Sequence, residues 1–124
     1  MTAVLPDWAR SGFSDAEPIA QHEVGHLGEI AAIIFRSPLV VPPPTDGGNK
    51  ILWVSRQATI ANRLDISAQR MDGTVAIGGP VQRFVDGGPG PSYVDLPQAG
   101  CWRLTLSWAD RTDSLDLEYM DRPT

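Results

Sequence analysis

The chain has 124 residues, of which 42% are hydrophobic and 20% charged, and carries a formal net charge of −5. That length fits one domain with a core of its own, and the mixed, moderate charge excludes an intrinsically disordered chain. The acidic balance supplies no basic face for phosphates or an anionic membrane, which argues against a nucleic-acid partner.

Residues 1–18 mix Trp8 and Phe13 with Pro, Gly, Ser and Asp and keep no period, so they read as an extended N-terminal arm that lays its aromatics on the domain. Residues 19–124 read as a single β-sandwich domain. No basic segment followed by a long apolar one opens the chain, and no run approaches the ~20 apolar residues that span a bilayer. The expectation is a cytoplasmic protein, or an envelope or secreted one if an export signal has been removed.

Gly28–Phe35 is a short, unbroken apolar run, as expected of a strand covered on both faces. Residues 38–49 (PLVVPPPTDGGN) read as a stiff loop without a ladder. Lys50–Ser55 is rich in β-branched and aromatic residues and predicts a strand with Trp53 in the core. Asn62–Gln69 alternates apolar and polar residues, and Asp72-Gly73 then marks a turn. Thr74–Ile77 and Val81–Val85 read as two short strands separated by Gly78-Gly79-Pro80, and Asp86–Ser92 as a loop. Trp102, Leu104, Leu106 and Trp108, then Leu115, Leu117 and Tyr119, occupy alternate positions on either side of Ala109–Thr112 and predict a β-hairpin. With no amphipathic helix between them, about seven strands predict an all-β sandwich of two antiparallel sheets.

Three stretches, GEIAAIIF (28–35), NKILWVSR (49–56) and GPGPSYVDLPQAGCWRLTLSWADRTDSLDLEY (88–119), resemble a group of uncharacterised bacterial proteins thought to form immunoglobulin-like sandwiches. The resemblance implies that fold and no catalytic or binding residue. Many members of the group carry an export or lipoprotein signal.

One motif points to chemistry. His22-Glu23-Val24-Gly25-His26 matches H-E-x-x-H, in which a helix holds zinc between two histidines while the glutamate activates a water. On a helix the two imidazoles reach one ion; on a strand they stand ~13 Å apart. Gly25, Gly28 and the β-branched run that follows favour a strand, and no third histidine is present to complete the site. Cys101, the sole cysteine, excludes an internal disulfide and reads as a partly covered thiol rather than a nucleophile. Asp110, Asp113, Asp116 and Glu118 read as a solvated face rather than a calcium loop. Of the four tryptophans only Trp8 falls outside a strand's core phase, where it is either an anchor for the arm or a sugar-stacking ring. The sequence therefore favours a non-catalytic interaction or structural module with a protein or envelope partner. The alternative is a small zinc-dependent metallohydrolase with His22 and His26 as ligands and Glu23 as base.

Overall fold

Residues 2–10, 19–58 and 60–123 are described by the structure, a computed structural model. Phe13 and most of the expected arm's second half lie outside the described residues. Among the described residues ten strands form: β1 (Thr2–Val4), β2 (Ile19–Val24), β3 (Ile30–Ile34), β4 (Leu39–Val41), β5 (Lys50–Ser55), β6 (Arg63–Asp72), β7 (Val75–Asp86), β8 (Pro91–Tyr93), β9 (Gly100–Trp108) and β10 (Arg111–Asp121). They make two five-stranded sheets, ordered β1-β2-β3-β5-β8 and β4-β10-β9-β6-β7. The all-β sandwich expected from the sequence is thus formed, with more strands than anticipated.

The β9–β10 hairpin is the clearest case of sequence dictating structure. Trp102, Leu104, Leu106, Trp108, Leu115, Leu117 and Tyr119 are all buried, while Arg103, Thr105, Asp116 and Glu118 between them are exposed. These side chains meet Ile30, Ala32, Ile34, Ile51 and Trp53 of the first sheet in one inter-sheet core. β3 is buried at every position, so its outward residues Ala31 and Ile33 are covered as well. Polar tips in the core are satisfied, as burial of such groups requires. The indole of Trp108 donates to Ser55 Oγ across the sheets at 3.1 Å, that of Trp53 to Ser92 Oγ at 3.2 Å, and the Tyr119 hydroxyl to the Val94 carbonyl at 2.6 Å. Burial, reinforced by the nearby Asp95 carboxylate, holds the Tyr119 phenol well above its ordinary pKa.

Four expectations are corrected. The stretch from Pro38 does form a ladder: β4 runs parallel to the end of β10, with Leu39 opposite Tyr119 and Val41 opposite Asp121. Its second edge is satisfied by a side chain, because the Val40 N–H donates to Asn49 Oδ1 and the Val40 carbonyl accepts from Asn49 Nδ2. Gly78-Gly79-Pro80 does not divide the segment into separate strands. It is an irregularity within β7, where the pairing shifts between Ala68↔Val81 and Arg70↔Ile77 and the Gln69 amide donates to the Ile77 and Gly78 carbonyls. A bulge is one of the few places a sheet tolerates proline. Pro91 and Ser92, expected in a loop, belong to β8. The β9–β10 connection is two residues, Ala109 and Asp110, since Arg111 already pairs with Trp108.

The N-terminal stretch is not merely an arm. β1 pairs with β2, and Leu5 and Ala9 are fully buried while Trp8 stays half-buried, so small aliphatic residues anchor the segment.

Candidate functional site

Val24 ends β2, and the chain turns through residues 25–29 into β3. The turn closes on itself, the Gly25 N–H donating to the Ile30 carbonyl and the Gly28 N–H to the Gly25 carbonyl. It is then docked on β10. Asp113 Oδ1 accepts from the Leu27 and Ser114 N–H groups at 2.8 Å each, its Oδ2 accepts from the Glu29 N–H at 2.9 Å, and the His26 N–H donates to the Ser114 carbonyl. A methyl group at Gly25 would sit 2.0 Å from Asp113 Oδ2, so glycine is what lets the carboxylate come this close. Asp113 is 3% exposed. The expectation that it belongs to a solvated acidic face is therefore corrected: it stands in the core phase of β10, and its charge is satisfied by backbone donors.

The H-E-x-x-H residues thus lie on a strand and the turn that follows it, with no helical turn to present both histidines to one ion. His22 is buried, and its Nδ1 lies 2.8 Å from the Ala20 carbonyl, so that nitrogen carries the ring proton. His26 is exposed, with Nδ1 3.0 Å from Ser114 Oγ. Among the described residues, no three His, Cys, Asp or Glu side chains gather closely enough to hold a metal ion. Cys101 is exposed on β9, 3.9 Å from Glu118 Oε2. Of the remaining acidic group, Asp116 pairs with Arg103 through two contacts of 2.9 and 3.2 Å, and the paired guanidinium holds its carboxyl below the usual range. Asp110 and Glu118 are exposed.

Glu23 has a different setting from the one its motif suggests. It pairs directly with Ala32, a member of the inter-sheet core, so its side chain projects into the space between the sheets, as does that of Gln21 two residues before it. There the sandwich is open. A cleft of about 420 Å³ lies between β2 and β10, lined by apolar Ile34, Leu39 and Leu117 and by Glu23, Asp116 and Glu118, of which Asp116 is already paired with Arg103. Every charged residue lining it, among those described, is a carboxylate. No described strand pairs with the outer edge of β10 before Tyr119, nor with the outer edge of β2 from His22 to Val24.

Comparison with protein-family models, curated proteins and solved structures returns no match. The cleft's chemistry therefore stands on its own residues. They combine an apolar surface from Ile34, Leu39 and Leu117 with acidic side chains. The sequence singled out Glu23 through the H-E-x-x-H match, and the structure places it on β2. It gave no sign of the cleft, whose walls come from strands nearly 100 residues apart and meet only through the sheet order.

Proposed function

We propose that this chain is a non-catalytic interaction module, an immunoglobulin-like member of the bacterial group its sequence resembles, and that it holds a basic, extended segment of a partner protein in the cleft between β2 and β10. The observation that supports this reading is the carboxylate-walled opening over Ile34, Leu39 and Leu117. A strand laid there would meet the edge of β10 between Ser114 and Tyr119 and that of β2 from His22 to Val24, would place alternate apolar side chains over Ile34, Leu39 and Leu117 and would bring Lys or Arg to the acidic side of the cleft.

Selection from a displayed random-peptide library tests it. Enriched peptides should alternate apolar and basic residues, bind more weakly as salt rises, and lose at least tenfold in affinity against a Glu23→Gln/Glu118→Gln variant. Absence of enrichment, or enrichment indifferent to that variant, would refute the proposal. Stoichiometric zinc in the purified protein, lost together with a hydrolytic activity in Glu23→Ala, would replace it with the hydrolase reading.

A further inference from the structure

A second face carries a different chemistry, independent of the cleft and of the function proposed for it. Ile51 and Trp53 point from β5 into the core, so Lys50 lies on the outer face of the first sheet. Tyr93 of β8 is its direct cross-strand partner. On the other side Phe35, the residue after β3, donates its N–H to the Lys50 carbonyl at 3.4 Å. Phe35, Lys50 and Tyr93 thus form one row across three strands, with the two rings about two strand spacings, roughly 10 Å, apart. Both rings are more than half exposed, and the Lys50 ammonium sits 5.3 Å from the centre of the Phe35 ring.

Beside this row stands a polar wall. Arg36 donates to both oxygens of Asp46, at 2.5 and 3.1 Å. Two of the five guanidinium N–H groups are used there, leaving three donors, and the carboxylate keeps lone pairs of its own, so donors and acceptors lie side by side. The loop that carries Asp46 is held in place. Its Gly48 N–H donates to the Pro44 carbonyl, and the buried Asn49 is gripped by Asp95 Oδ1 at 3.0 Å from its backbone and 2.9 Å from its side chain. Gly47 and Gly48 run along the Tyr93 ring, where a methyl group at Gly48 would come within 3.3 Å of it. The shallow, open hollow they border is about 250 Å³.

We propose that this corner binds a neutral saccharide. Arg36 and Lys50 are matched by Asp46 and Asp95, so the local charge is balanced and rewards neither an anion nor a cation. The side-by-side donors and acceptors match vicinal hydroxyls, each of which both donates and accepts. The exposed rings match the C–H faces of sugar rings, and the hollow is smaller than the 300–1,000 Å³ typical of enclosed small-molecule sites. A glycan laid across the row would seat one unit in the hollow and stack others on the rings.

Native gel electrophoresis of the full chain through gels containing xylan, galactomannan, laminarin or dextran tests the proposal. Migration should be slowed by at least one of the four. A Phe35→Ala/Tyr93→Ala variant should bind at least tenfold more weakly, and Arg36→Gln several-fold more weakly. Phe84→Ala, which removes an exposed ring on β7, and the Glu23→Gln/Glu118→Gln variant should be retarded by the glycan as much as the wild type, each relative to its own mobility in a glycan-free gel. Unhindered migration through all four gels would overturn the proposal, as would retardation that survives loss of both rings. Retention on dextran sulfate alone, abolished by salt, would also overturn it, because it reports ion exchange at Lys50.

Discussion

At the scale of single residues, Asp113 does more for this protein than any residue of the motif it holds. Its carboxylate is the acceptor for three backbone N–H groups, and removing a buried acceptor leaves its donors without partners. Asp113→Ala is expected to lower stability by about 3 kcal/mol, read as a drop in the urea midpoint at unchanged slope. Asp113→Asn should cost less, about 1–2 kcal/mol, because one oxygen survives while the amide faces donors it cannot satisfy. Wild-type midpoints in both variants would mean that the turn is held by its backbone bonds alone. An acid in the core phase of an otherwise alternating strand was visible in the sequence, as Asp113 two residues before Leu115. Its meaning was not, because two of the three donors it serves lie more than 80 residues away.

At the scale of elements, legibility followed how each strand earns its place. β5 and the β9–β10 hairpin are set by their own local apolar pattern, although the hairpin's turn is tighter than that pattern shows because Arg111 and Thr112 already pair with β9. β4 has no such pattern: three residues between prolines become a strand because β10 offers one edge and Asn49 supplies the other. β7 hid its continuity behind a bulge whose compensation comes from Gln69 on the neighbouring strand. Asn49→Ala should therefore act on β4 first. Loss of both bonds to Val40 is expected to cost about 2–4 kcal/mol, and hydrogen exchange at the Val40 amide should accelerate more than at Ile51 or Leu104. Uniform acceleration across the three would count against a local role. The Arg103–Asp116 pair links β9 to β10 on the outer face, and its pH dependence has a definite sign. Asp116 titrates lower in the folded chain than in the unfolded one, so the pair's contribution is present above the unfolded value of about 3.9 and is lost as pH falls through the lower folded value. The pair is exposed and screened by solvent and salt, so its contribution is small. Asp116→Asn should be slightly less stable than wild type at pH 7 in low salt, and the gap should close below that window. A gap that persists in strong acid would assign the effect to packing.

At the scale of the molecule, the chain passes repeatedly between the two sheets. After β3 it crosses to β4, returns for β5, crosses again for β6 and β7, comes back for β8 and ends in the second sheet with β9 and β10. Neither sheet consists of one uninterrupted segment, so neither can complete itself before the other. The core reflects the same interdependence, since Trp53 of the first sheet and Trp102 and Trp108 of the second lie in one buried cluster, and Trp108 is bonded across the gap to Ser55. This topology predicts one cooperative transition. Tryptophan fluorescence, which reports the core, and far-ultraviolet circular dichroism, which reports the strands, should give the same urea midpoint and the same slope. If the second sheet could stand without the first, strand signal from β6, β7, β9 and β10 would outlast the tryptophan signal, and the two curves would separate. The open cleft gives that comparison a further use. A basic peptide held between β2 and β10, as proposed, would contact both sheets and stabilise only the assembled sandwich, so saturating peptide should move both midpoints together by RT ln(1 + [L]/Kd) divided by the slope.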